Sequence, residues 1–333
     1  MSEAQGGQVQ GGHVYLSRQL TPPATAAARE LGPPLVVHDD PDTPPSRERL
    51  LSDVAGAAAL ITLLTDRVDA GLLDAAGPGL RIVANCAVGF DNIDLAAAHQ
   101  RGVVVTNTPG VLDEATADLA FALVLATARR LVEADRFVRT GREWIWGPQS
   151  FVGLDLSGGA TLGIVGLGRI GTAVARRAAA FGMRILATGS RASGEEARRY
   201  GVEAADLPRL LAESDVVSLH CPLTPETRHL IGAAELAAMK PTAVLINTAR
   251  GPVVDEAALV TALETGVIAA AGLDVYEDEP RLHPGLRALD NTVLLPHIGS
   301  AGRATRDAMG VLAVDNVRAV LAGEPPRTPV PLP

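Results

Sequence analysis

The sequence predicts an α/β protein made of two doubly wound parallel-sheet domains. Three observations predict it. Short aliphatic runs alternate with alanine- and leucine-rich segments of helical length, and they do so in two separate stretches of the chain. A GxGxxG motif follows the first run of the second stretch. A length of 333 residues, 47% of them apolar, exceeds the usual size of one domain and can fill two cores sharing a cleft.

In the first stretch, 14–107, the runs VYLS, LVVH, ALIT, RIVANC and VVVTN read as strands with helices between them. The segment 112–141, LDEATADLAFALVLATARRLVEADRFVRTG, then reads as one long helix. Its centre is apolar nearly all round, which predicts burial between domains or subunits. A loop with Trp144, Trp146 and Pro148 follows. The second stretch begins at Thr161 and holds six strand-like runs: TLGIV, RILATG, VVSLH, AVLINTA, IAAAGLDV and TVLLPH. Six parallel strands with crossovers describe a nucleotide-binding sheet of Rossmann type. After Ser300, GRATRDAMGVLAVDNVRAVLAG reads as an amphipathic helix ending at Gly323. Folding back on the first domain, this helix makes that domain discontinuous. The expected division is 13–107 with 300–333 for a substrate domain of flavodoxin-like type, and 108–299 for the dinucleotide-binding domain.

A formal charge of -9 argues against nucleic-acid or anionic-membrane partners, both of which reward a basic face. Small metabolites remain. The two cysteines, Cys86 and Cys221, have neither zinc nor disulfide spacing, so no metal is expected and a reducing cytoplasm fits. The opening MSEAQGGQVQGG lacks a signal-peptide profile and reads as a disordered tail. LAFALVLA, at 119–126, is too short to span a bilayer.

The run TLGIV leads into GLGRIG, and TAVARRAAAFG continues as a helix closed by Gly182. Strand before and helix after are the context a GxGxxG needs. Gly166 permits the turn, Gly168 lets the backbone approach a pyrophosphate, and Gly171 lets helix and strand pack, with Leu167, Arg169 and Ile170 completing the loop. The free N–H groups of the helix start hold the anion. An NAD site wants a carboxylate about twenty residues on. Gly189 stands there, followed by Ser190 and Arg191, which suit a 2′-phosphate, so NADP is preferred over NAD.

Three later runs end on polar groups: NTARG on Arg250, GLDVYEDEP on Asp274 and Glu279, and LLPHIGS on His297. Ligands of open α/β sheets bind at the carboxyl ends of strands, so these residues converge. An arginine clamps a carboxylate with two parallel hydrogen bonds, and a histidine exchanges a proton near neutral pH. A carboxylate beside that histidine orients its ring and favours the imidazolium. Singly, each has a plain reading as a satisfied histidine, a solvated carboxylate or a surface arginine. At successive strand ends beside a dinucleotide loop, they read as one site.

The chain resembles the D-isomer-specific 2-hydroxyacid dehydrogenases, within them the glyoxylate/hydroxypyruvate reductase branch. The segments that carry the resemblance are NCAVGFDNIDL at 85–95, TNTPGVLDEATADLA at 106–120, TLGIVGLGRIG at 161–171, HCPLTPETRHLI at 220–231, NTARGPVVDEAAL at 247–259, GLDVYEDEP at 272–280 and LLPHIGSA at 294–301. The resemblance implies reduction of a short 2-oxo acid to the D-2-hydroxy acid with NAD(P)H. It implies that Arg250 binds the substrate carboxylate and polarises the ketone, that His297 is the general acid/base, and that Glu279 is its partner. Val88 and Gly89 would form a backbone cradle for the carboxylate, with the loop at 63–66 as its other wall. Asp274 would meet the nicotinamide carboxamide, and Thr116, Pro222, Thr227, Thr248, Ala249 and Gly299 would line the cofactor. His220 and Cys221 read as packing or cofactor-wall residues. Family members are usually dimers, and Trp144 or Trp146 would then either reach the neighbouring subunit's site or serve in plain packing. Two alternatives are a dehydrogenase of another acid and a cofactor-sensing corepressor. Formate-type relatives carry glutamine where Glu279 stands. Phosphite-type ones use a lysine in the substrate loop, whereas the sole lysine here, Lys240, lies in the nucleotide half.

Overall fold

The structure is a computed structural model that describes residues 12–40 and 43–331. The expected N-terminal tail lies, but for Gly12, outside the described residues. The chain divides into two compact units, Met1–Leu112 with Gly302–Pro333, and Asp113–Ala301.

The first unit holds β1 (His13–Leu16), β2 (Leu35–Val37), β3 (Ala57–Thr62), β4 (Ile82–Asn85) and β5 (Val104–Thr106). They pair in parallel in the order β2-β1-β3-β4-β5, the flavodoxin-like winding. Every residue of β3 and β4 is buried, which is why AAALIT and IVAN show no polar alternation. The helix Arg303–Leu321 packs on the helix Pro22–Arg29 and on β3 and β4. Gly310 makes that approach possible, because a Cβ there would lie 2.5 Å from Cβ of Ala24. At the helix end, the Arg81 guanidinium donates to the carbonyls of Val320 and Leu321, the last of the helix.

The second unit holds β6 (Thr161–Val165), β7 (Arg184–Thr188), β8 (Val202–Ala204), β9 (Val216–Leu219), β10 (Val244–Asn247), β11 (Ala270–Leu273) and β12 (Thr292–Leu294). The order β12-β11-β10-β9-β6-β7-β8 is the Rossmann order with a seventh strand. That seventh strand corrects the six expected. β8 escapes notice because it is a three-residue edge strand in which only Val202 is buried.

A second correction concerns 112–141. It forms two helices, Asp113–Ala128 and Leu131–Arg139, with Arg130 between them in the left-handed region at φ 53°. The chain returns across the first helix and takes its terminal carbonyl: Leu154 N–H donates to Ala128 O at 2.8 Å. Continuing the helix needs that carbonyl for Val132, so the crossing ends it. Only glycine allows the approach, since a Cβ at Gly153 would lie 2.1 Å from the same oxygen. The first helix packs within the second unit, against β10–β12 and the helix Arg169–Ala180, and Leu131–Arg139 buries no residue.

Candidate active site

Register brings the predicted residues together. β11 pairs Leu273 with Asn247 of β10 and with Leu294 of β12, so the three strands end level. Asp274 follows Leu273 directly, while Arg250 and His297 each follow three residues after their strand.

Asn247, 1% exposed, shapes the Arg250 turn. Its Oδ1 accepts from Ala249 N–H at 3.0 Å, its Nδ2 donates to Arg250 O at 2.9 Å, and its carbonyl accepts from Asp274 N–H at 2.9 Å. The Arg250 guanidinium donates through Nη1 to Ala249 O at 2.8 Å.

His297 has a left-handed backbone at φ 55°. For a residue other than glycine this costs roughly 1–2 kcal/mol and persists only where the surroundings impose it. Asp274 imposes it: its two carboxylate oxygens accept from Ile298 N–H at 2.8 Å and Gly299 N–H at 2.7 Å, the two amides after His297. Burial pushes the Asp274 carboxyl above its usual range, against the pull of those amides and of His297. Glu279 fixes the ring. His297 Nδ1–H donates to Glu279 Oε2 at 2.8 Å, and Glu279 Oε1 accepts from Tyr276 N–H at 3.0 Å. Nδ1 is thereby engaged, and Nε2 is the nitrogen left to exchange a proton with a ligand. The neighbourhood is closed by the buried Tyr276, whose hydroxyl donates to Leu295 O at 2.8 Å. Thr116 and Asp274 flank Gly299, where a Cβ would lie 3.4 and 3.3 Å from them. Thr248, 9% exposed, lies at the end of β10, next to Ala249.

The residues of the dinucleotide loop fit such a group. Gly166 has φ 95°, and a Cβ there would lie 2.7 Å from Cys221 N, so backbone of the neighbouring strand end fills its flank. At Gly171 a Cβ would meet Gly166 O at 2.4 Å. At Gly168 no protein atom lies within 4 Å of that position, which leaves the open side a pyrophosphate would fill. The helix Arg169–Ala180 starts there without a side-chain cap, so the first-turn amides of Arg169, Ile170 and Gly171 would be the donors to an anion. Leu167 turns inward: it is 3% exposed and its N–H donates to Thr188 O. It builds the loop rather than facing a ligand. Gly189, at φ 105°, places its missing side chain 3.6 Å from Leu167 N, and Ser190 and Arg191 beyond it are exposed. The Thr227 hydroxyl accepts from Thr224 N–H at 2.7 Å and donates to Pro222 O at 2.7 Å, so it shapes the exposed Pro222 wall. His220 Nε2 lies 2.8 Å from Ser218 Oγ, and burial pulls its pKa down to about 4, as befits a neutral packing residue.

In the other unit, asparagines orient the Val88–Gly89 turn. Asn107 Nδ2 donates to Val88 O at 2.8 Å and Asn85 Nδ2 to Gly89 O at 2.9 Å. Tying these carbonyls points the amides of Gly89 and Phe90 the opposite way, because a trans peptide opposes its C=O and N–H. Asn92 Nδ2 donates to the carbonyls of Leu63 and Asp66 and so holds the 63–66 loop, while Asp66 Oδ2 accepts from Leu63 N–H at 2.7 Å. The four residues Asn85, Asn92, Asn107 and Asn247 were not singled out from the sequence, although all stand inside quoted motifs. The available signal is a buried or half-buried asparagine at or just after a strand end, where loose backbone needs partners.

Among the described residues no cluster of histidine, cysteine and carboxylate could hold a metal. A cavity of about 610 Å³, lined by Thr127, Val152, Leu154, Val244 and Val293 among others, opens at the amino ends of β10–β12. That is the opposite edge of the sheet from the strand-end residues, so it is no part of this site.

The family model described as "D-isomer specific 2-hydroxyacid dehydrogenase, NAD binding domain" matches residues 121–299. The chain is 54% identical over 292 residues to a glyoxylate reductase from Thermococcus litoralis, covering 86% of this chain and 87% of the relative. The chain belongs to the D-isomer-specific 2-hydroxyacid dehydrogenase family. A Thermus thermophilus protein of known crystal structure superposes with a TM-score of 0.89 at 48% identity, over 96% of this chain and 100% of that one. The NADPH-dependent glyoxylate/hydroxypyruvate reductase of Sinorhizobium meliloti, solved with NADP and malonate, gives 0.83 at 37% identity, over 96% of each chain.

Proposed function

We infer that this member of the family is an NAD(P)-dependent dehydrogenase that reduces a short 2-oxo acid, of glyoxylate or hydroxypyruvate size, to the D-2-hydroxy acid, with NADPH preferred. The observation that carries the reading is His297 Nδ1 bonded to Glu279 Oε2 at 2.8 Å on a turn clamped by Asp274. A bound reduced nicotinamide supplies the hydride. The chain does the rest: Arg250 grips the carboxylate and presents one face of the ketone, and His297 Nε2–H gives its proton to the nascent alkoxide oxygen. Glu279 orients the ring through Nδ1, and Asp274 would turn any remaining acceptor capacity toward the carboxamide. The unit Asp113–Ala301 would serve as nucleotide domain and the other as substrate domain, with Gly89 and Phe90 amides offered to a carboxylate. The glycine at 189 with Ser190 and Arg191 beyond it supports NADPH, since no acid repels a 2′-phosphate.

A homodimer is proposed from the segment after Arg139: Trp144 is 62%, Ile145 93% and Trp146 77% exposed, an unusual apolar display for a lone chain. Both cysteines are free and buried, which supports a reducing compartment such as the cytoplasm. Steady-state rates for a panel of 2-oxo acids with NADPH and NADH test the reading. Turnover of glyoxylate and hydroxypyruvate with a lower KM for NADPH is expected, and NADPH binding without turnover of any 2-oxo acid would refute it.

A further inference from the structure

The turn that carries Arg250 and the loop that carries Glu279 are stitched together by side chains outside the site. Glu256 opens the helix Glu256–Glu264. A first-turn glutamate ordinarily faces water and answers the helix dipole. Glu256 is instead 6% exposed. Its Oε1 accepts from Glu277 N–H at 2.6 Å and its Oε2 from His283 N–H at 3.3 Å, so one carboxylate spans both ends of the Glu279 loop. Glu277 answers in kind: its Oε2 accepts from Glu256 N–H at 3.4 Å, and its Oε1 lies 2.5 Å from His229 Nε2.

His229, left-handed at φ 52°, donates its N–H to Pro252 O at 2.8 Å, and Ile231 N–H donates to Val253 O at 3.1 Å. Three segments, 229–231, 250–254 and 276–283, thus form one brace. Their backbones touch at Gly251, where a Cβ would lie 1.8 Å from both C and O of Tyr276. The next bond in line is Tyr276 N–H to Glu279 Oε1, and beyond it is Glu279 Oε2 to His297.

We propose that Glu256 is a positioning residue that, with Glu277 and His229, locks the Arg250 turn and the Glu279 loop in register, so that carboxylate clamp and proton donor are presented together. The proposal rests on the roles given to Arg250, Glu279 and His297 above. A glutamate serving only as a helix-start charge would need neither burial nor two amides from a distant loop. A displacement of the order of 1 Å at a reacting group can cost about 10²-fold in rate, so a brace of this kind has kinetic weight.

The test uses the intact protein as Glu256→Ala, Glu256→Gln and Glu277→Gln. Glu256→Ala is expected to lower kcat by roughly 10- to 100-fold. The solvent deuterium isotope effect on kcat should rise as proton donation becomes slower, and the dissociation constant for NADPH should stay within about twofold. Glu256→Gln keeps the shape and one acceptor and should recover part of the loss. The low-field Nδ1–H proton resonance of His297, assigned by its absence in His297→Ala, should move or broaden in the alanine variant. Should Glu256→Ala not fold, Glu277→Gln, altered at a side chain 29% exposed, must show the same changes in smaller measure. Wild-type kcat, isotope effect and resonance in these variants would overturn the brace, as would NADPH affinity falling in step with kcat. A wild-type protein inert toward every 2-oxo acid would sink the reading of the reaction, while the resonance would still report on the brace.

Discussion

Which nitrogen of an imidazole is free depends on what holds the other, and in His297 Nδ1 is held by Glu279 at 2.8 Å. Asp274 does something different for the same residue. It offsets the strain of a left-handed histidine by accepting the two amides that follow it. The division of labour gives a plain expectation: His297→Ala should lower kcat for 2-oxo acid reduction by about 10²–10⁴-fold while NADPH binding persists, measured by stopped-flow and fluorescence titration. His220 is the contrasting histidine. Burial holds its pKa near 4 against an ordinary 6.5, so between those values the unfolded chain takes up a proton that the folded chain refuses. Stability is therefore lost as pH falls through 6.5 toward 4 and levels off below. Replacing it as His220→Gln should flatten urea-midpoint loss across that window, by at most about 3 kcal/mol. Asp66 and Asp274, raised by burial, work in the opposite sense just above the usual carboxylate range, which is why the variant must be compared with wild type rather than read alone.

Strands and loops carry the next level of the argument. The loop after β7 offers Ser190 and Arg191 in place of a carboxylate, both exposed. A charge-assisted hydrogen bond is worth roughly 1.5–3 kcal/mol, so Arg191→Ala should raise KM for NADPH by about 10- to 100-fold and leave KM for NADH nearly unchanged. In β11, Gly272 is where the helix Asp113–Ala128 meets the sheet. A Cβ there would lie 2.6 Å from Thr127 Oγ1 and 2.9 Å from Ile246 Cδ1. Gly272→Ala should destabilise the fold by about 1–3 kcal/mol, seen as a lowered Tm, because neither neighbour is a loose chain end. Within its unit the apolar helix is covered on two sides, by the β-sheet and by the helix Arg169–Ala180, while Ala122 is exposed and Leu119, Leu125 and Ala126 are half-buried.

For the molecule as a whole, two parallel sheets follow from alternation that is plain in the sequence, because strands buried on both faces read as short apolar runs and need helical crossovers. GLGRIG, with a strand run before it and a helical run behind, likewise announced its turn, since glycine is the residue that permits φ 95° at Gly166 and the bare flank at Gly168. His297, Glu279 and Arg250 were legible as residues following strand ends for the same local reason. Other features depend on contacts between segments far apart in the chain, which no local pattern records. The break at Arg130 needed the return of Gly153 and Leu154 across Ala128; the edge strand β8 needed β7 beside it. Asn85, Asn107 and Asn247 acquired partners only once neighbouring turns supplied carbonyls and amides for them to hold. Local chemistry wrote the list of candidate groups. Their orientation, from the left-handed turn of His297 to the buried Glu256 behind Arg250, came from hydrogen bonds that exist only when the sheet is assembled.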